Sequence, residues 1–323
     1  MKAIDKNLVA RYWTDERKFQ LIGKKKLLLL PWLAPEVLVT MDLMNPEGSL
    51  TRSQTKKLLQ VNHMLQLLRP TLDILVKQFP LIRIAEGAAG NSYVSLLLAW
   101  YFTDVTPHPV MIIASDSNPK VVAQSEARSK ALGFDKILRS AVEPLASFDW
   151  AKLHTTLFPE HLPADLKAED AKKIRPNLFV TLHACDALSC QAIHHGMILK
   201  ADHLAIAPCC QAQLAAQWKE ALPSTSPLRA IFASPNIRRS AAADFTDTIR
   251  LLLLRSLGYE GEAIEFVPSE HTPKNRLILV QRKRQFDLDS LRAYRDLKAE
   301  VSEGRIELEK LLENELTPFI ERL

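Results

Sequence analysis

The stretch Leu81-Ile-Arg-Ile-Ala-Glu-Gly-Ala-Ala-Gly-Asn-Ser-Tyr93 decides the fold. An apolar run, Leu81 to Ala85, reads as a strand, and the apolar segment Tyr93 to Tyr101 reads as a helix. Between them lie one acidic residue and a turn built almost wholly of small residues. The chain has only nine glycines in 323 residues, less than half the usual share of roughly 7 %. Gly87 and Gly90, paired directly after a strand, are therefore worth explaining.

Outward from this turn, short apolar runs alternate with helical stretches. Val110–Ala114 reads as strand two, Pro119–Leu132 as a helix that Gly133 stops, and Ile137–Val142 as strand three. Residues 143–176 are polar and hold four prolines, which predicts an insertion or a long connection. Leu178–Leu182 is strand four, Ala187–Leu199 its helix, and His203–Ala207 strand five, ending at Pro208. A helix over Ala241–Leu257 follows, then two strands, Ala263–Val267 and Leu277–Gln281, too close for a crossover helix and so antiparallel. Residues 1–80 read as a helical N-terminal region, 81–284 as the α/β domain and 285–323 as a C-terminal helical tail. The prediction is an α/β fold with a doubly wound, mostly parallel sheet and a final antiparallel hairpin, plus helical additions at both ends. This is the arrangement of the Rossmann-like, class I methyltransferases, whose ligands bind at the carboxyl ends of the strands.

Composition is that of an ordinary globular protein, 47 % hydrophobic and 24 % charged. No stretch reaches the roughly 18 apolar residues of a spanning helix, and Lys24-Lys-Lys-Leu-Leu-Leu-Leu-Pro-Trp32 reads as a folded element rather than a signal. Four cysteines and no export signal predict the cytoplasm and no disulfide framework. The net charge of +5 is uneven: residues 1–80 carry 13 Lys/Arg against 7 Asp/Glu, while residues 285–323 carry 6 against 10. A basic front end suits a phosphate backbone such as RNA, or is the solvated face of a helical region.

The site follows from this fold. A methyltransferase needs an acidic residue at the end of strand one and a tight turn along which S-adenosylmethionine can lie. Glu86, Gly87, Ala88 and Gly90 stand there, but a glycine at every second position fails: the three places fall on Ala88, Gly90 and Ser92. Asp116 and Ser117 end strand two, where a carboxylate can accept both ribose hydroxyls or can instead cap the next helix.

Four ordered blocks resemble a methyltransferase-domain family that includes bacterial proteins and the methyltransferase portion of the eukaryotic glutathione S-transferase C-terminal-domain-containing protein. They are Ala88-Ala-Gly-Asn-Ser-Tyr, Leu182-His-Ala-Cys-Asp, Ala207-Pro-Cys-Cys-Gln and Glu270-His-Thr-Pro-Lys-Asn, and Asp247-Thr-Ile-Arg resembles the family's late helix. The resemblance spans about residues 50–284 and implies the fold and an S-adenosylmethionine cofactor. Glu86 stands where such families usually have aspartate, and Asn91 replaces a common lysine.

On a parallel sheet, His183, Cys185 and Asp186 end strand four, Cys209 and Cys210 end strand five, and His271 lies in the last hairpin. His183, Asp186, Cys209 and His271 are the candidate acceptor-side residues, with His183 also bordering the donor. Cys209 could attack an acceptor covalently or pack as a small hydrophobe. His183 and Asp186 suit acid–base work or loop ordering. No Cys-x2-Cys spacing occurs, so no metal is expected. The expectation is a methyltransferase with RNA as acceptor; the alternatives are a protein or small-molecule acceptor, or a non-catalytic adenosyl-binding module.

Overall fold

A computed structural model describes residues 4–162, 173–221, 229–266, 276–283, 285–301 and 304–320. The side chains of His183, Cys185, Cys209 and Cys210 lie outside the described set, and His271 does so entirely. The chain divides into two compact units, Met1–Val142 and Glu143–Leu323.

The first unit opens with helices α1 (Lys6–Tyr12), α2 (Asp15–Ile22), α3 (Pro35–Thr40) and α4 (Arg52–Gln78). Thr51 starts α4 with a reciprocal capping box: the Thr51 hydroxyl accepts from the Gln54 amide and the Gln54 side-chain oxygen accepts from the Thr51 amide. Asn62, fully buried on α4, accepts from the amides of Leu28 and Leu29 at 2.7 and 2.8 Å and donates to the Leu29 carbonyl. One side chain thus pins the Leu27–Leu30 segment against the helix, and the basic-apolar stretch is a folded element.

Then come β1 (Ile82–Glu86), α5 (Tyr93–Trp100), β2 (Val110–Asp116), α6 (Pro119–Ala131) and β3 (Leu138–Val142). β2 pairs parallel with β1 and with β3. Its residues Val110–Ser115 are all buried, which is why it reads as a continuous apolar run rather than an alternation.

The second unit runs α7 (Trp150–Leu157), β4 (Leu178–Cys185), α8 (Ala187–Ile198), β5 (His203–Cys210), α9 (Gln213–Ala221), α10 (Arg229–Ala233), α11 (Pro235–Ser256), β6 (Tyr259–Glu265), β7 (Arg276–Arg282), α12 (Leu288–Val301), α13 (Glu307–Leu311) and α14 (Glu313–Ile320). β4 and β5 are parallel, while β5–β7 and β6–β7 are antiparallel. The seven strands lie in the order β3-β2-β1-β4-β5-β7-β6. The doubly wound sheet with a closing hairpin is therefore present.

Local differences have local causes. The polar 143–176 segment holds a helix, α7, capped by Asp149 and anchored by buried Trp150 and Leu153. α11 begins at Pro235, six residues before the expected start, with Ser234 at its N-cap and proline at its first position. β5 continues through Pro208 to Cys210. The β7 ladder covers only His203–Ile206, so no partner on that side asks Pro208 for the N–H it lacks. The C-terminal helices pack on their own unit, α12 on α11 and α13 on α8. There, buried Glu309 accepts from the Tyr294 hydroxyl at 2.6 Å and pairs with Lys298 at 3.2 Å.

Candidate functional site

In the first unit the turn after β1 is a run of left-handed residues. Ala88, Gly90 and Ser92 have φ of +50°, +53° and +53°. These are the three positions that an alternating-glycine turn would fill with glycine. The conformation survives although alanine and serine replace glycine at two of them, each at a cost on the order of 1–2 kcal/mol. Gly90 is not hemmed in: a Cβ there would meet nothing within 4 Å, so its constraint is φ alone. The tighter glycine is Gly261, where a side chain would run into the Leu279 carbonyl.

Two carboxylates organise this turn. The Gly90 amide donates to Asp116 Oδ2 at 2.8 Å, and Asp116 Oδ1 accepts from the Asn118 amide at 2.9 Å. Asp116 does not cap α6; Asn118 does, accepting from the Lys120 amide at 3.0 Å. The Ala89 amide donates to the Ser115 carbonyl at 2.8 Å, so the turn is fastened to the tip of β2 twice. Ser117 is exposed beside it and Gly87 is buried.

Glu86 does something the sequence did not suggest. It is buried, and its Oε2 accepts from both the amide (3.1 Å) and the hydroxyl of Ser95. Ser92, the nominal N-cap of α5, is left-handed and makes no side-chain cap. Glu86 therefore satisfies a first-turn amide of α5 in its place. Burial pushes its carboxyl up to about 7, against the pull of the Ser95 hydrogen bonds and with a small push from Asp116.

Arg128 on α6 also braces the turn. Its guanidinium donates to the Asn91 carbonyl at 3.3 Å, pairs with Asp42 at 3.1 Å and lies 5.7 Å from the Tyr93 ring centre.

In the second unit the ends of β4 and β5 are irregular. Leu182 pairs with Ala207, Ala184 with Pro208 and Cys185 with Cys210. His183 is thus the extra residue on β4, and Cys209 the extra residue on β5. Bulges of this kind re-aim a strand end and are frequent beside active sites. Asp186 follows as the single residue between β4 and α8, with φ +50° and ψ −106°. For a non-glycine residue this costs on the order of 1–3 kcal/mol. Its side chain is partly exposed, caps nothing, and has no hydrogen bond or ion pair among the described residues.

A buried polar network stands behind it. The Arg250 guanidinium, fully buried, donates to Asp247 Oδ1 at 3.0 Å, to the Asp186 carbonyl at 3.0 Å and to Cys190 Sγ at 3.3 Å. Asp247 Oδ2 accepts from Gln211 at 3.1 Å and from Arg276 at 3.2 Å. Nothing in an i,i+3 pair such as Asp247 and Arg250 announces that both charges are buried. Among the described residues no group of three His, Cys, Asp or Glu is placed to hold a metal ion.

The profile of a methyltransferase domain family matches residues 56–217, half of the chain, and the chain belongs to that family. Its fold and family membership imply S-adenosylmethionine as methyl donor. The first unit's turn fits such a group: its left-handed run leaves open space over Gly90, with the Asp116 carboxylate at the neighbouring strand tip. Comparison with curated proteins gives no match. Among solved structures, the METTL16 methyltransferase domain shares 12 % identity (87 % of this chain, 93 % of that one, TM-score 0.43). The SAH-bound methyltransferase PaMTH1 of Podospora anserina shares 13 % (83 % and 94 %, TM-score 0.43). A SAM-dependent methyltransferase from Aquifex aeolicus shares 12 % (68 % and 92 %, TM-score 0.35). No helix among the described residues is long and apolar enough to cross a membrane.

Proposed function

We propose that this methyltransferase transfers its methyl group to RNA, working in the cytoplasm; the Glu86–Ser92 turn is our candidate for holding the donor, and Asp186 our candidate for taking the acceptor's proton. S-adenosylmethionine, when bound, would supply an electrophilic methyl on a sulfonium and leave as S-adenosylhomocysteine, so that the protein has to orient the acceptor and take up its proton. Orienting the two reactants is the protein's main task. Asp116 would take the ribose hydroxyls and the backbone of Ala88–Gly90 the methionine end. Glu86, turned onto Ser95, would act by fixing α5. Asp186, whose carboxylate has no partner among the described residues, would accept the acceptor's proton. His183, Cys209 and His271 remain candidates on the acceptor side. The four sequence blocks also support kinship with the methyltransferase portion of glutathione S-transferase C-terminal-domain-containing protein.

The observation that carries the RNA reading is a set of six exposed cations, Lys24, Lys25, Lys26, Arg52, Lys56 and Lys57, with no ion pair among the described residues. Asn62 pins Leu28 to α4 at 2.7 Å. Lys26 is two residues from that point and Lys57 five helical residues from Asn62, so the two groups lie within about 20 Å. Phe19, 74 % exposed, sits one helical turn before the lysine run and offers a face for a base. Unpaired cations with an exposed ring suit a single strand.

The test is transfer of labelled methyl from S-adenosylmethionine to RNA, protein and metabolite fractions of cells lacking the protein. Label in RNA supports the reading. Label only in protein or metabolites overturns the acceptor, and donor binding without any transfer makes the chain a binding module.

A further inference from the structure

We infer that Arg250 is a positioning residue: held by Asp247, it fixes the backbone of Asp186 in the one-residue elbow that presents the Asp186 carboxylate to the acceptor. The inference rests on the methyltransferase reading with Asp186 on the acceptor side.

The elbow is the starting point. A strand that passes into a helix through one left-handed, non-glycine residue persists only where its surroundings hold it. Two groups hold this one. On the helix side the Ser189 hydroxyl donates to the Ala184 carbonyl. On the other side Arg250 Nη2 donates to the carbonyl of Asp186 itself at 3.0 Å. A strained strand-to-helix turn is also the device by which other α/β enzymes lift one reactive side chain clear of the sheet.

The second point is what the network leaves free. It binds the main chain of Asp186 and never its carboxylate. That group is partly exposed and has no partner among the described residues.

The third point is that Arg250 is not arranged for stability. Its Nε is buried and has no hydrogen bond among the described residues, a desolvated donor without a partner there. Buried ion pairs are weak stabilisers in any case and are often replaced by apolar residues at no loss. Here the guanidinium gives up one donor and uses its terminal nitrogens to reach Asp186, Asp247 and Cys190. Asp247 in turn gathers Gln211, just past β5, and Arg276, at the start of β7. The network therefore sets Asp186 against the ends of two further strands, and distributes its hold over elements that a local contact could not register.

The experiment compares wild type, Arg250→Lys, Asp186→Asn, the Asp186→Asn/Arg250→Lys double variant and a charge-neutral Asp247→Asn/Arg250→Met variant. The last keeps the test open if removing one charge alone unfolds the protein. Fold is followed by circular dichroism, donor affinity by calorimetry with S-adenosylhomocysteine, and turnover by labelled methyl transfer to total RNA from cells lacking the protein. Lysine keeps the charge but cannot span Asp247 and the Asp186 carbonyl together. The expected result is a folded Arg250→Lys protein with donor affinity within about twofold of wild type and kcat lowered tenfold or more. The folded charge-neutral variant should match it, and adding Arg250→Lys to Asp186→Asn should cost little more, because the two act as one unit. Wild-type kcat in either folded Arg250 variant, or fully multiplicative losses in the double variant, overturns the inference. A wild-type protein that transfers no methyl overturns it too, and is distinguished by failing before any variant is compared.

Discussion

The amide of Gly90 donates to the carboxylate of Asp116 at 2.8 Å, joining the turn after the first strand to the tip of the second. This bond explains how a turn with one glycine out of three keeps three left-handed residues: the loop is held from outside. Asp116 thus has two tasks, to shape the turn and to face the ribose.

The turn should tolerate more glycine and little else. Ala88 is left-handed at φ +50°, so Ala88→Gly removes strain and should leave stability unchanged or raise the melting temperature by a few degrees. Gly90→Val should weaken donor binding tenfold or more, since a β-branched residue rejects this φ. Thermal melts and calorimetry read the two effects.

Glu86 sets a pH dependence. Its carboxyl titrates at about 7 in the folded chain against an ordinary value near 4.3 when unfolded. Between these values the folded state holds the extra proton, so stability falls as pH rises from about 4.5 to 7 and is level above. The difference is on the order of 3 kcal/mol. Denaturant melts of wild type and Glu86→Gln across pH 4.5–8 should show this slope in the wild type and lose it in the variant.

Arg128 links Asp42 to the carbonyl of Asn91. Arg128→Ala should weaken donor binding several-fold with little change in melting temperature, because the Asp42 end of the pair is exposed and such a pair contributes little to stability. Equal donor affinity in the variant would remove Arg128 from the site.

RNA binding should depend steeply on salt. Six phosphate contacts to a single strand give a slope of about −4 in log K against log salt, a loss of a hundredfold or more between 50 and 200 mM. Replacing Lys24, Lys25 and Lys26 by alanine should flatten that slope by about 2. Filter binding with a short single-stranded RNA measures both, and a salt-independent affinity contradicts the proposal.

Much of this was legible in the sequence, for identifiable reasons. Buried parallel strands write themselves as apolar runs, so Val110–Ala114 and His203–Ala207 located the sheet. Two strands too close for a crossover announced the antiparallel hairpin. What escaped was whatever depends on the third dimension. Proline usually ends a strand, so the sequence alone ends β5 at Pro208, and only the short reach of β7 shows why it need not. Counting glycines at the turn understated it, since backbone conformation there is imposed by Asp116 and not by residue type. Glu86 reads from the sequence as a ligand for the donor; that its carboxylate also caps α5 through Ser95 is visible only in the fold. The Asp247–Arg250 pair was invisible because a chain does not declare which charges its fold will bury.

Donor binding by the Asp116 turn is the central claim. Calorimetric titration of S-adenosylmethionine and S-adenosylhomocysteine into wild type and Asp116→Ala tests it most directly. The account predicts saturable binding to wild type and at least tenfold weaker binding to the folded variant; equal affinity in the two proteins would contradict it.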